Sequence, residues 1–388
     1  MKKKNVDILG STGSIGKSSI EVLNKLKNYK VFLIFANNNF KELNFQIKKF
    51  NPKIVISNNF DVYLKLKNKF KNKKILVTNN YKEIKKFVKK IDVTISAIPG
   101  FEGLEPTLFF TKLSKKILIA NKESVICGWH LINRAAKKSK TEIIPIDSEH
   151  FSIHYLLKNY KPNQINKIYI TASGGPFLKL KKKFFKTIKV SDALRHPKWK
   201  MGKKISVDSS TLMNKVLEVI EAAKIFSFKL DQFEILIHPQ SLIHAIVELN
   251  NGIKIFLYHI PDMKIPISNA LEENKDFLNI FNFQSNLAEK NLEFFNVDKK
   301  RFPVVNLLSK VNINNSSAIL LNRANEILVD KFIKKKISFL DISYYLKLFL
   351  TNSEYIKTSK QIANSINKIE KVNNLGTKII YNTLGKKC

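Results

Sequence analysis

Through residues 1–147, short apolar runs alternate with longer amphipathic ones. The apolar runs are "VDIL", "VFLIFA", "KIVIS", "KILVT", "VTISAI", "KILIA" and "EIIPI". Between them lie segments such as "EVLNKLKN", "FKELNFQIKKF" and "KESVICGWHLINRAAKK", whose apolar positions recur at helical spacing. Strands apolar on both faces, each followed by a helix, predict an α/β domain with a parallel, doubly wound sheet over 1–147. Such sheets bind ligands at the carboxyl ends of their strands. Residues 148–272 change character: strands "KIYITAS" and "EILIHP" precede "HAIVEL" and "IKIFLYH", joined across "NNG", a hairpin signal. With two helices, one of them over 210–226, this predicts an α+β second domain. From 299 onward the pattern is helical, best in "SSAILLNRANEILVDKFIKKK" and "FLDISYYLKLFL". It predicts a C-terminal helical domain over 299–388, reached through a polar linker at 273–298.

Composition changes that picture in one respect. A hydrophobic fraction of 44% is ordinary, but the formal net charge of +37 invites a nucleic-acid reading. Of 68 basic residues only Arg134, Arg195, Arg301 and Arg323 are arginine. Nucleic-acid readers lean on arginine for bidentate contacts, whereas here lysines are strewn over the whole chain beside abundant asparagine and isoleucine. That is the pattern of an AT-rich genome. It predicts a solvated lysine surface that attracts small anions, with no nucleic-acid partner. Two cysteines, Cys127 and Cys388, make no disulfide framework and point to a reducing, cytoplasmic setting. The apolar run in "MKKKNVDILGSTG" is too short for a signal peptide, and no run of about eighteen apolar residues exists to cross a membrane.

Seven stretches carry chemistry. "ILGSTGSIGKSS" places Gly10, Gly13 and Gly16 between a strand and a helix, where a pyrophosphate can approach the helix N-terminus, as in Rossmann-like dinucleotide sites. The second strand ends in "FANNNF" with no acid to grip ribose hydroxyls, which favours NADP over NAD. "IIPIDSEHF" leaves the last strand into Asp147, Ser148 and Glu149; in an extended backbone the two carboxylates share a side and suit a hard divalent cation. "STLMNKVLEVIEA" sets Asn214, Lys215 and Glu218 on one helical face, with Glu221 an equal candidate for a third carboxylate. Ser173 in "TASGGPF" and Ser209 in "ISVDSS" suit a phosphate. His196 and Trp199 lie in the basic loop "RHPKWKMGKK", which suits a lid. His150 and His154 lack the neighbours a zinc site needs, and His238 and His244 read as structural.

Taken in order, "GSTGSIG", "ANKES", "DSEH", "SGGPF", "RHPKWKMGKKISVDS", "MNKVLE", "IHPQSLIH" and "ANEI" closely resemble the 1-deoxy-D-xylulose 5-phosphate reductoisomerase family, over essentially the whole chain. The resemblance implies an NADPH-dependent, metal-dependent conversion of that sugar phosphate to 2-C-methyl-D-erythritol 4-phosphate, by a homodimer. It implies Mg, Mn or Co held by Asp147, Glu149 and Glu218. Ser173, Ser209, Asn214 and Lys215 become phosphate and substrate contacts, Lys122 and Ser148 substrate contacts, and His196 and Trp199 the lid. Lys122, Glu149 and His196 are the implied catalytic groups. The implied cofactor contacts are Thr12, Gly13, Ser14, Ile15, Asn121, Glu123 and Gly202, with Asn37, Asn38 and Asn39 standing where the family usually has Gly-Lys-Asn.

Overall fold

The structure is a computed structural model, and it describes residues 3–196, 199, 202–271, 281 and 291–385. The chain divides into two compact units: Met1–Ser124, His130–Phe151 and Asp262–Gln284 form the first, and Val125–Trp129, Ser152–Pro261 and Ser285–Cys388 the second.

In the first unit the seven apolar runs become β1 (Lys4–Leu9), β2 (Tyr29–Phe35), β3 (Ile54–Ile56), β4 (Leu76–Thr78), β5 (Ile91–Ser96), β6 (Ser114–Ile119) and β7 (Glu142–Pro145). They pair in the order β4-β3-β2-β1-β5-β6-β7, every pair parallel. Helices α1 (Ser14–Lys25), α2 (Phe40–Phe50), α3 (Phe60–Lys69), α4 (Leu104–Leu113) and α5 (Lys122–Ser139) make the crossovers. Both faces of the strands are buried, which is why they read as continuous apolar runs. Leu9, Leu33, Phe35, Ile54, Ile56, Tyr81 and Phe110 build one core, with Tyr81 edge-on to Phe109. The order reverses between β1 and β5, so their carboxyl ends open the crevice where such folds bind ligands.

Besides Val125–Trp129, the second unit takes the chain from within α6 (Ser148–Leu157) through β8 (Ile165–Ala172), the short α7 (Val190–Ala193), α8 (Lys203–Thr211) and α9 (Met213–Phe226) to β9 (Phe233–Ile237), β10 (Ile243–Leu249) and β11 (Lys254–Tyr258). β10 and β11 form the antiparallel hairpin expected at "NNG". With β12 (Phe295–Asn296) the sheet runs β11-β10-β8-β9-β12; β8 and β9 are parallel and the rest antiparallel. Phe177, Phe185, Phe302, Phe332 and Phe339 pack their rings into a second core.

Packing groups the elements that follow β11 in two ways. Helix α10 (Lys264–Leu271) belongs to the first unit, because it packs on α1 and the Leu271 carbonyl accepts from the Tyr29 hydroxyl at 2.5 Å. The C-terminal helices α11 (Ser317–Ile333), α12 (Phe339–Thr351), α13 (Ser353–Ser359) and α14 (Ile366–Leu384) belong with the second sheet. Asn325 of α11 donates to buried Asp208 of α8 at 2.7 Å, and the turn Pro303–Lys310 packs on α9. Most of the expected linker 273–298 lies outside the described residues. Among the described residues no helix is long and apolar enough to cross a membrane.

Candidate active site

At the switch point Gly10 takes φ +83°, and a Cβ there would meet the Ala97 carbonyl oxygen at 2.4 Å. A Cβ on Gly16 would lie 2.3 Å from the Gly10 oxygen. The turn therefore closes only with glycine at both positions. It delivers the chain to α1, whose N-cap Gly13 offers no side-chain hydrogen bond and whose first turn holds no acid. The N–H groups of that turn are left for a ligand, and Gly13 and Ser14 are exposed. Thr12, Gly13, Ser14 and Ile15 thus form a cradle that fits a pyrophosphate. On the β2 side, the Asn37 Oδ1 accepts from the Asn58 N–H at 3.2 Å, and the Asn38 Oδ1 from the Asn59 amide at 3.1 Å. Asn39 caps α2 by accepting from the Glu42 N–H at 3.0 Å.

β6 and β7 are neighbours, so the residues after them emerge side by side. Asn121 caps α5, accepting from the Ser124 N–H at 2.5 Å while its amide donates to the Ile98 and Gly100 carbonyls. Both ends of that side chain are thereby committed to holding the loop after β5. Glu123 accepts from the Gly100 N–H at 3.3 Å. The buried Lys122 ammonium lies 3.3 Å from the Asp147 Oδ2.

The stretch after β7 corrects one expectation. β7 ends at Pro145 and α6 begins at Ser148, so Asp147 and Glu149 are not alternate residues of a strand. The Asp147 carbonyl accepts from the Phe151 N–H at 2.7 Å and its Oδ1 from the Ser148 N–H at 3.1 Å, which starts a helix there. Glu149 lies in the first turn, where the helix dipole favours a carboxylate. The two side chains still converge: one carboxylate oxygen from each lies within 4.8 Å of the other. The Ser148 hydroxyl donates to the Glu149 Oε2 at 2.6 Å, and His150, fully buried, sits 3.6 Å from Asp147. An all-oxygen carboxylate pair beside an ammonium fits a hard divalent cation.

In the second unit, helical spacing gathers a further set of polar side chains. Glu218, 1% exposed, accepts from the Asn214 amide at one oxygen and from the Lys215 ammonium at the other, at 2.8 Å. Glu221 is equally buried. Gly174 and Gly175 take φ +83° and +66°, and a Cβ on Gly175 would meet the Ser209 carbonyl at 2.8 Å. Only glycine allows the turn that holds Ser173 to seat against the α8 residue Ser209.

His196 joins them. Its Nδ1 accepts from the Trp199 N–H at 2.9 Å, so in the neutral ring the proton sits on Nε2, which donates to the Ser173 Oγ at 3.1 Å. Burial, and then the charge of Lys215, push His196 down to about 4, so the ring is neutral at physiological pH. Ser173 Oγ also accepts from the Gly175 N–H at 3.2 Å, which leaves its own proton to donate. Gly202, exposed, caps α8 without a side-chain bond. His238 stacks on Phe294, and His244 stacks on His259 at 4.1 Å with the Trp199 ring edge-on at 6.2 Å. The expected lid positions 197, 198, 200 and 201 lie outside the described residues.

Sequence reading missed three supports. Asp208 anchors α8 to Asn325, which gives the "ANEI" stretch a structural task. Gly175 sets the approach to Ser209, and Asn59 holds Asn38. Only the paired glycines carried a signal; the other two depend on partners far along the chain.

Comparison with known proteins points to one family. The profile of 1-deoxy-D-xylulose 5-phosphate reductoisomerase matches residues 6–128, and two profiles of its C-terminal domains match 143–226 and 259–378. A protein of that name from Pelagibacter ubique (strain HTCC1062) is 45% identical over 385 residues, covering 95% of this chain and 97% of its own. One from Wolbachia pipientis wMel is 40% identical over 347 residues, 87% of this chain and 88% of its own. A crystal structure of DOX-P reductoisomerase in complex with NADPH, fosmidomycin and magnesium superposes with a TM-score of 0.87 at 30% identity, covering 99% of this chain and 98% of that one. The Zymomonas mobilis enzyme in complex with NADPH superposes with a TM-score of 0.88 at 30% identity, covering 98% of each chain.

Proposed function

This chain belongs to the 1-deoxy-D-xylulose 5-phosphate reductoisomerase family, and from that premise we propose that it rearranges and reduces 1-deoxy-D-xylulose 5-phosphate to 2-C-methyl-D-erythritol 4-phosphate. The observation that carries the reading is the pairing of Lys122 with Asp147 and of Ser148 with Glu149 at the carboxyl ends of adjacent strands, in a sheet whose switch point holds a glycine cradle.

Asp147, Glu149 and Glu218 are the ligands we assign to one divalent cation, Mg, Mn or Co. A cation held by these carboxylates would supply Lewis acidity towards the substrate ketone and its developing negative charge. NADPH would supply the hydride for the reduction. The remaining work falls to this chain's side chains. Lys122, held by Asp147, donates a charge-assisted hydrogen bond towards the substrate oxygens. Glu149 Oε2, already engaged by the Ser148 hydroxyl, is the acceptor for a substrate hydroxyl proton. Neutral His196 fixes the Ser173 hydroxyl so that its proton faces outward, and Ser173, Ser209, Asn214 and Lys215 together hold the phosphate. Thr12 to Ile15, Asn37 to Asn39, Asn121, Glu123 and Gly202 are assigned to the cofactor. A homodimer in the cytoplasm belongs to the same proposal; family membership supports the dimer, and the sparse cysteines support the compartment.

The test is NADPH oxidation with 1-deoxy-D-xylulose 5-phosphate, with and without Mg or Mn. Metal-dependent oxidation with formation of the branched polyol phosphate is the expected result. Oxidation that continues unchanged in a chelator, or none with this substrate, overturns the proposal.

A further inference from the structure

The loop after β2 contains no cation where a coenzyme's ribose reaches the sheet in doubly wound folds; it contains three asparagines. An amide side chain is ambiguous by itself, since one end donates and the other accepts. Here the surroundings decide which end is which. Val62 N–H donates to the Asn59 Oδ1 at 3.0 Å, the N-cap bond of α3. With its oxygen engaged there, Asn59 turns its amide N–H to the Asn38 Oδ1, at 3.1 Å. Asn37 is fixed in the same sense: its Oδ1 accepts from the Asn58 N–H at 3.2 Å, and its backbone carbonyl from the buried Ser57 hydroxyl at 2.9 Å. Both acceptor ends are turned to the β3–α3 turn, each holding a donor from it. Among the described residues, neither the Asn37 nor the Asn38 Nδ2 has an acceptor. Glu42, the acid of the first turn of α2, is itself held by Lys17 at 3.5 Å and by Gln46 at 3.1 Å.

We propose that Asn59 is a specificity-determining positioning residue: by holding the Asn38 oxygen it makes the Asn37–Asn38 rim an all-donor surface that selects a 2′-phosphate over a 2′-hydroxyl. The inference rests on the NADPH reading above and assigns its discrimination to a residue outside the coenzyme loop. A phosphate is acceptor-only and is satisfied by amide donors. A ribose hydroxyl gains most from an acceptor to receive its proton, and the rim withholds one. Selectivity here comes from orientation, where a lysine would supply it by charge.

The experiment measures equilibrium binding of NADPH and of NADH, without substrate, by nicotinamide fluorescence. Asn59→Ser and Asn59→Asp both retain an N-cap oxygen for Val62, so α3 is preserved, and thermal unfolding verifies it. Asn59→Ser removes the donor that orients Asn38. It should weaken NADPH about tenfold, the value of roughly one charged hydrogen bond, and leave NADH unchanged. Asn59→Asp turns the Asn38 oxygen outward and should lower the NADPH/NADH ratio further. In an Asn38→Ala background Asn59→Ser should add nothing, because its effect passes through Asn38. A ratio unchanged by Asn59→Ser, or the same loss in the Asn38→Ala background, overturns the inference. Wild-type protein that binds neither coenzyme overturns the cofactor reading itself, before any variant is made.

Discussion

Replacing Asp7 by asparagine should make the protein more stable, by an amount that grows with pH. Asp7 lies in β1, in register with Leu33 of β2 and Thr94 of β5, and none of its surface is exposed. Neither carboxyl oxygen has a hydrogen-bond partner among the described residues. Burial, and then the nearby charge of Asp92, hold its pKa well above the ordinary carboxylate value. A raised folded-state pKa means the folded chain binds a proton that the unfolded chain has released. The associated stability is complete below the unfolded pKa of about 3.9 and is lost as pH rises towards the folded pKa. The slope in that window is about 1.4 kcal/mol per pH unit. Asparagine matches the shape and does not titrate. Near pH 4 the two proteins should be close, since each buries an uncompensated neutral polar group. As pH rises from the unfolded towards the folded pKa the difference should widen in favour of Asp7→Asn, by up to about 1.4 kcal/mol per pH unit. Urea unfolding of both proteins at pH 5, 5.5 and 6, followed by circular dichroism, measures it. A difference that stays constant with pH would show that Asp7 is not protonated in the folded chain, and the reasoning would fail.

Glu218→Gln should keep the fold but lower kcat at least roughly a hundredfold, the upper end of losses from groups one bond further from a metal. Glutamine both removes charge and sets an N–H against Asn214 or Lys215; if Glu221→Gln is the costlier change, the third ligand is misassigned. The His196 ring should remain neutral from pH 8 to 5.5 by NMR, with its midpoint displaced downward to about 4 because burial and Lys215 oppose protonation; a midpoint near 6.5 would refute that environment. Gly16→Ala should abolish NADPH binding and lower the melting temperature, because the new methyl meets backbone atoms of Gly10 and Ser11 at 2.3 and 2.6 Å. Gly202→Ala, with nothing within 4 Å, should melt as wild type does.

Periodicity along the chain was enough to set out seven buried strands with helical crossovers, the hairpin at "NNG" and the glycine turn into α1. Those features are local: a two-sided apolar run or a residue without a Cβ acts on its nearest neighbours. The Asn214–Lys215–Glu218 face was legible for the same reason, since positions three and four apart meet on any helix. Spacing could not choose Glu218 over Glu221; there the family resemblance made the assignment.

Only tertiary structure decided the rest. "IIPIDSEHF" reads as one extended stretch, yet the backbone turns helical at Ser148, because the Asp147 carbonyl captures the Phe151 N–H. Lys122 reaches Asp147 because β6 lies beside β7, a pairing that no spacing along the chain encodes. The tautomer of His196, the burial of Asp7 and the direction of the Asn38 amide each depend on a neighbour supplied by folding: Trp199 and Ser173, the strands flanking β1, and Asn59. Apolar pattern selects the elements because burial is indifferent to the identity of the partner. Polar chemistry depends on which donor meets which acceptor, and that is settled when distant segments pack.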